Sequence, residues 1–251
     1  MSGPKNIFRD VGQCIGFYTR IPVSQGDGAF DFARAQWAAP LVGALVGVLG
    51  AGVFFAANLC GLSVALSSIL TLCATILITG ALHEDGLADV ADGFGGGNSV
   101  ERKLEIMRDS RIGTYGVLAL IAGFSIRGFA LIEIANPLHI AGALIAAHMA
   151  SRAIMPAFMR SLKPARSDGL GKSVGRVSDG SVFVAIIFGA VGLALAGPLA
   201  ALVAAITLGL WFLSLRILAR NQINGYTGDV LGALQQGGEA IVLIVATVWM
   251  V

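Results

Sequence analysis

Long apolar runs constrain this chain more than any other feature of its sequence. A helix that crosses the hydrocarbon core of a membrane needs about 20 mainly apolar residues. Seven runs approach that length, at residues 38–59, 63–82, 115–134, 140–158, 182–196, 199–218 and 232–251. Charged residues make up only 13% of the chain, whereas soluble domains contain about 25%. We therefore predict an all-α fold, a polytopic membrane bundle of about seven transmembrane helices.

The remaining sequence indicates a single integral membrane domain over residues 1–251. Residues 1–37 lack the cleavage site of a signal peptide, so we expect an interfacial helix and loop there. The three cysteines, Cys14, Cys60 and Cys73, show neither metal-type nor paired spacing. The net charge is +2, and no basic block with interleaved aromatic residues is present. Nucleic acid is therefore not an expected partner.

The distribution of lysine and arginine predicts which way the bundle faces. Four basic residues precede the first run, four lie between the second and third, five lie between the fourth and fifth, and two flank the last connection. The intervening connections carry none. By the positive-inside rule the N-terminus is cytoplasmic and the C-terminus is outside. Three polar segments, residues 83–116, 159–175 and 221–233, then share the cytoplasmic face and can build one site.

The first polar segment begins with the acidic stretch HEDGLADVADGFGGG, residues 83–97. If the second apolar helix continues through it, Asp85, Asp89 and Asp92 lie within about 60° of one another on one helix face. Clustered carboxylates repel one another, and a divalent cation removes that repulsion. Oxygen ligands suit Mg²⁺ or Mn²⁺. We predict a metal site at these aspartates, with Glu84 as a further ligand, while a solvated helix end is the alternative.

Two other readings of this stretch stay open. The glycines at 95–97 either bring backbone N–H groups to a phosphate or simply end the helix. His83 is either a ligand or base, or a packing residue. One carboxylate of the cluster is the candidate general base.

A chelated cation at the edge of a membrane enzyme is typical of phosphate chemistry. The sequence offers hydroxyl, guanidinium, ammonium and carboxylate groups to complete such a site. The predicted substrate-binding residues are Asp109, Ser110, Arg111, Thr114, Arg152, Arg166, Lys172 and Asp229. Asp229 has the alternative role of helix capping beside Thr227. Arg127 and Arg152 lie inside apolar runs and need partners. Glu133 or another helix is expected for Arg127, and Asp109, the acidic cluster or a phosphate for Arg152.

Five segments carry a resemblance to a known family. GALHEDGLADVADGFGGG and RKLEIMRDSRIGTYGVLAL together form a specific signature, and FYTRIPV, ARSDGLGK and NGYTGDVLGA follow the same order. Over nearly its whole length the chain resembles the cobalamin (5'-phosphate) synthase family, also called adenosylcobinamide-GDP ribazoletransferases.

The resemblance implies a Mg²⁺-dependent multi-pass enzyme of the cytoplasmic (inner) membrane, in contact with membrane lipid. It implies transfer of the corrinoid phosphoryl group of adenosylcobinamide-GDP to the 3'-hydroxyl of α-ribazole or α-ribazole 5'-phosphate. GMP leaves, and adenosylcobalamin or its 5'-phosphate forms. Homo-oligomerisation and association with other cobalamin-assembly enzymes stay open at this point, as does the preferred acceptor.

Two alternative functions were weighed against this one. A CDP-alcohol-type phosphotransferase of lipid synthesis would release CMP, although the spacing D-x3-D-x2-D-G departs from the longer signature of that superfamily. A transporter would line its path with Arg127, Arg152 and Glu133. The concentration of polar residues on one face of the predicted bundle argues against a path through it.

Overall fold

The computed structural model describes residues 4–23, 31–166 and 175–249. These residues form α-helices joined by short connections, and no β-strand is present among them. The helices are α1 Pro4–Tyr18, α2 Phe32–Ala35, α3 Ala39–Leu59, α4 Val64–Thr79, α5 Leu82–Gly96, α6 Val100–Ile106, α7 Thr114–Ile134, α8 Pro137–Ala153, α9 Met155–Ser161, α10 Asp179–Ala194, α11 Pro198–Ile223 and α12 Gly228–Trp249. A 3-10 turn, Gln36–Ala38, connects α2 to α3.

Five helical segments in the described part are long and apolar enough to cross a membrane. They are Phe32–Leu59, Thr114–Ile134, Pro137–Ser161, Pro198–Ile223 and Gly228–Trp249, and the bent pair of α4 and α5 makes a sixth if it counts as one span. The predicted all-α, polytopic fold is confirmed, and the described residues hold five or six candidate spans where the sequence indicated about seven. The fifth predicted run forms α10, whose 16 residues reach only about 24 Å of the ~30 Å hydrocarbon core.

The outer surface of the bundle is apolar. Along α11, five large side chains at helical spacing are each more than half exposed: Leu202, Ile206, Leu210, Leu213 and Ile217. A stripe of this kind is costly in water and well solvated by lipid. The inner packing uses glycines, because an added Cβ at Gly43 or Gly47 on α3 would collide with the backbone of α8. Such close backbone approach is typical of membrane helices.

A sharp break separates α4 from α5, whose axes meet at 90°. Gly80 and Ala81 both adopt left-handed backbone angles, with φ of 64° and 58°. The Arg20 side chain lies where a Cβ of residue 80 would stand, and the Arg20 backbone N–H donates to Ile78 O at 2.7 Å. The expectation that the second apolar helix continues through the acidic stretch is therefore wrong. The stretch forms a separate helix that ends at Gly96.

The three polar segments meet at one end of the bundle. The backbone of Tyr226 pairs with the second segment, since its N–H donates to Lys163 O at 3.0 Å and its carbonyl accepts from Ala165 N at 2.8 Å. Helix α5 packs closely on the start of α12, where Gly86 faces the Asp229 backbone. The fold thus brings together the segments from which the sequence predicted one site.

Candidate active site

Three carboxylates form the centre of the candidate site. Asp85 and Asp89 lie one turn apart on α5, and Asp229 lies in the first turn of α12. Because Gly86 has no side chain, the α12 backbone can approach α5 at this point. Asp229 and Asp85 are the anions with the largest electrostatic effect on Asp89, while Arg166 is the cation that partly offsets them. The structure therefore joins two predicted metal ligands to Asp229, which the sequence placed among the substrate-binding residues.

Asp92 turns away from this group. Its carboxylate accepts backbone N–H groups from Gly113 at 2.7 Å and from Gly116 at 2.9 Å, at the start of α7. A Cβ on either glycine would run into the carboxylate. An anion at a helix N-terminus satisfies otherwise unpaired N–H groups and stabilises the helix dipole. The predicted one-face spacing on α5 is present, yet the position of α7 gives Asp92 a capping role between helices.

Glu84 also lies apart from the three carboxylates. Its Oε1 accepts from both terminal nitrogens of Arg127 at 3.3 Å and from Gln236 Nε2 at 3.0 Å. Its Oε2 is buried and has no hydrogen-bond partner among the described residues. The structure thus places Glu84 in the interior of the bundle, where Arg127 and Gln236 already engage its carboxylate.

A buried polar network continues from Glu84. Arg127 Nη1 lies 2.9 Å from Glu239 Oε1, and His148 Nδ1 lies 3.1 Å from Glu239 Oε2. Arg127 therefore pairs with other helices, not with the exposed Glu133. Buried charges need partners of this kind, and losing one partner is strongly destabilising.

Arg152 belongs to the same network. The side chain is 1% exposed, and its Nη1 donates to His148 O at 3.2 Å. The sequence predicted substrate binding for Arg152, with Asp109, the acidic cluster or a phosphate as its partner. The structure corrects this prediction, because α8 carries Arg152 into the core where His148 and Glu239 surround it.

The polar residues in the middle of the last helix were not among the predicted site residues. Gln235 Nε2 donates to Glu239 Oε2 at 2.6 Å and to Ser151 Oγ at 3.2 Å. Their signal was present, since Gln235, Gln236 and Glu239 interrupt the apolar run at 232–251. Polar residues inside a membrane segment indicate inward-facing positions.

A cleft of about 380 Å³ lies beside Asp85 and Asp89 and is also lined by Asp109, Ser110 and Arg111. Arg111 Nη2 lies 2.6 Å from Asp109 Oδ2, and its donors lower the pKa of Asp109 to about 2. Asp109 is therefore ionised at neutral pH and keeps the Arg111 guanidinium near the cleft. Thr114, by contrast, is exposed at the start of α7 and does not belong to the described lining.

The second polar segment reaches the carboxylates through Arg166. Its Nη2 donates to Leu104 O at 3.0 Å and lies 3.7 Å from Asp229 Oδ2. Asp229 also accepts from Thr227 Oγ1 at 3.0 Å, and the same hydroxyl accepts from Val230 N as a cap of α12. The site thus brings a fixed cation against one of its three carboxylates. Lys172 lies outside the described residues.

The number of carboxylates that lie close together limits how this site could bind a metal ion. No three carboxylate, imidazole or thiol groups in the described ranges lie close enough together to hold a metal by themselves. Mg²⁺, however, is commonly held by one or two carboxylates together with water and substrate phosphates. Asp85, Asp89 and Asp229 supply oxygen donors of the type that this ion prefers.

Comparison with known proteins covers nearly the whole chain. The family model described as cobalamin-5-phosphate synthase matches residues 10–247. Relatives named adenosylcobinamide-GDP ribazoletransferase are 52% identical in Bradyrhizobium diazoefficiens (96% of this chain, 94% of the relative) and 50% identical in Mesorhizobium japonicum (98% and 95%). A relative of that name in Shewanella frigidimarina is 40% identical (92% and 91%). No solved structure matches the chain. The chain belongs to the cobalamin-5-phosphate synthase family.

Proposed function

We propose that this protein transfers the corrinoid phosphoryl group of adenosylcobinamide-GDP to α-ribazole or α-ribazole 5'-phosphate and releases GMP. The observation that carries the proposal is the meeting of Asp85, Asp89 and Asp229 with Arg166 at one end of an apolar bundle. Relatives of this chain bear the name of that activity over nearly their full lengths. The names do not support the lipid phosphotransferase or transporter alternatives.

Mg²⁺ fits the donor set of the site, and Mn²⁺ shares its preference for oxygen. One or two of the carboxylates Asp85, Asp89 and Asp229 would hold the ion together with phosphate oxygens of the donor substrate. When bound, the cation neutralises negative charge that develops on the diphosphate. Glu84 and Asp92 are left out of this set, because Arg127 and the start of α7 already engage them.

The reaction exchanges the phosphoanhydride bond of the diphosphate for a phosphate ester bond. The ribose 3'-hydroxyl oxygen of the acceptor forms a bond to the phosphorus on the corrinoid side of the diphosphate. The bond from that phosphorus to the oxygen shared with GMP breaks, and GMP leaves with both bonding electrons. One carboxylate among Asp85, Asp89 and Asp229 takes the hydroxyl proton. Arg166 and Arg111 supply positive charge beside the departing phosphate.

The proposed site faces the cytoplasm from the inner membrane. At the same end of the bundle, five basic side chains line a cavity of about 750 Å³: Arg160, Lys163, Arg176, Arg216 and Arg220. Such an accumulation is typical of a cytoplasmic membrane surface. It supports an orientation in which cytoplasmic substrates reach Asp89 directly.

The decisive experiment is the Asp89→Asn variant in membranes supplied with adenosylcobinamide-GDP, α-ribazole and Mg²⁺. The change keeps the size of the side chain and removes its charge. GMP release should fall by about 100-fold or more, since an acid–base group alone contributes about 10²- to 10⁴-fold. The matched control, Glu133→Gln, removes a carboxylate from an exposed position on α7. Wild-type GMP release by Asp89→Asn, or release of CMP from a CDP-activated alcohol, would overturn the proposal.

A further inference from the structure

An apolar cavity of about 120 Å³ lies beneath α1, next to the three carboxylates. Its walls come from α1, α5, α9, α12 and their neighbours, and they are rich in aromatic and methionine side chains: Phe17, Tyr18, Phe32, Met155, Met159 and Tyr226. Asp85 and Asp229 also line it. The cavity therefore joins an apolar binding volume to the candidate active site.

The size and walls of the cavity suit a flat aromatic ring. Its volume is below the roughly 150 Å³ of an apolar cavity that accepts benzene, so it holds one six-membered ring of a larger base and leaves the rest of the base at its edge. Phe17 already makes edge contacts with Tyr18 and Phe32, at ring centroid distances of 4.9 and 4.4 Å. Aromatic edges and methionine sulfur both make favourable contacts with a further ring.

His83 provides an independent polar signal in the same cavity. The residue is 2% exposed, and its ring stacks on Tyr18 at 5.9 Å with an interplanar angle of 12°. Its Nε2 is buried and has no hydrogen-bond partner in the described part of the chain. An unpaired buried polar atom is costly, so a bound molecule that pairs with Nε2 would be stabilised. Tyr18 does not compete, because its hydroxyl donates to Gln36 Oε1 at 2.7 Å.

We propose that this cavity binds the six-membered ring of the benzimidazole base of the ribazole acceptor. The inference rests on the proposed function and adds a location for the second substrate. A benzimidazole nucleoside has one unsubstituted ring nitrogen, which can accept from His83 Nε2–H, and otherwise an apolar surface. With the base in the cavity, the attached ribose lies toward Asp85 and Asp229. The acceptor hydroxyl then approaches the carboxylates from the side of α1.

Guanine is the other flat base in the reaction and is a poorer match. Its edge carries two kinds of N–H donor and a carbonyl acceptor, and each needs a partner when buried. Apart from His83, the polar side chains of the lining are Tyr226; Tyr18, whose hydroxyl already donates to Gln36; and the carboxylates Asp85 and Asp229, which the donor phosphates and their cation require. The walls formed by Phe17, Phe32 and Met155 offer no hydrogen-bonding side chain for such an edge.

Gly228 allows the cavity to be filled from within. It lines the cavity, and an added Cβ there would meet no atom within 4 Å. The Gly228→Leu side chain should occupy the ring volume and raise the KM for α-ribazole by about 10- to 100-fold, the equivalent of losing one buried ring. The KM for adenosylcobinamide-GDP should stay at the wild-type value. Gly209→Leu is the matched control, since Gly209 is exposed on α11 and also has open space around its Cβ position.

A binding measurement separates this inference from the proposed reaction. Isothermal titration of purified protein with α-ribazole alone, without donor, should show binding that Gly228→Leu weakens and Gly209→Leu preserves. If the wild-type protein binds α-ribazole but releases no GMP from adenosylcobinamide-GDP, the result would contradict the proposed function and not the cavity assignment. An increase in the KM of adenosylcobinamide-GDP with an unchanged KM of α-ribazole would overturn the assignment and place guanine in the cavity. Unchanged binding of α-ribazole by Gly228→Leu would overturn it as well.

Discussion

Replacing Asp92 by asparagine separates a structural role of this residue from a metal-binding role. The side chain keeps its size and one acceptor oxygen, but it loses its charge and the second acceptor. In the structure both oxygens accept backbone N–H groups, from Gly113 at 2.7 Å and Gly116 at 2.9 Å. The substitution should therefore leave one N–H at the start of α7 without its partner.

The size of the effect follows from that lost contact. A hydrogen bond to a charged group contributes about 1.5–3 kcal/mol, so Asp92→Asn should cost roughly 2 kcal/mol of unfolding free energy. For a chain of this size, 1 kcal/mol corresponds to about 2–4 °C in Tm. The expected decrease in Tm is therefore about 4–8 °C.

Thermal unfolding in detergent measures the stability change, and GMP release titrated with Mg²⁺ measures the metal requirement. Asp92→Asn should lower Tm and leave the half-saturating Mg²⁺ concentration unchanged. Asp89→Asn should change the Mg²⁺ requirement or abolish release. If Asp92→Asn keeps its Tm and requires much more Mg²⁺, the capping interpretation is refuted and Asp92 returns to the metal ligands.

Three further substitutions test other parts of the structure. Gly80→Ala should lower the free energy of unfolding by about 1–2 kcal/mol, because residue 80 has a left-handed backbone conformation. A normal Tm would contradict this conformation and the packing of Arg20 against residue 80. Arg127→Gln should lower the free energy of unfolding by about 3–5 kcal/mol, because it leaves Glu84 and Glu239 unpaired in the core. Size-exclusion chromatography should show a loss of folded protein, and a full yield would argue against the buried network. Because the lowered pKa of Asp109 is about 2, its ion pair with Arg111 weakens only below about pH 4. Asp109→Asn should therefore leave the shape of the activity profile between pH 5 and 9 unchanged. A new inflection in that range would contradict this prediction.

The fold class was predictable because apolar runs of about 20 residues have few stable outcomes in a membrane. The break before α5 was not, because Ala81 carries no local signal for a left-handed angle. The contact that accompanies the break comes from Arg20, far away in the sequence. Local pattern therefore predicted a helix over the acidic stretch and missed its direction.

The same distinction applies to the carboxylates. The spacing of Asp85, Asp89 and Asp92 fixes their relation on one helix, and α5 keeps that relation. Which of them meet another anion or a backbone N–H depends on the neighbouring helices. Asp229 lies on the same side as Asp89 because α12 packs on Gly86. Asp92 instead accepts a backbone N–H because α7 begins beside it. The spacing of residues along one helix cannot predict these contacts between helices.

The right angle between α4 and α5 has a consequence for how a water-soluble substrate meets a membrane enzyme. A membrane normal that follows α4 leaves α5 parallel to the membrane surface. In the proposed orientation, Asp85 and Asp89 would lie one turn apart along α5, at the boundary between lipid and cytoplasm. A large hydrophilic donor could bind from the aqueous side and bring only its diphosphate to α5. The surrounding helices would then act as an anchor, and no part of the donor would need to cross into hydrocarbon.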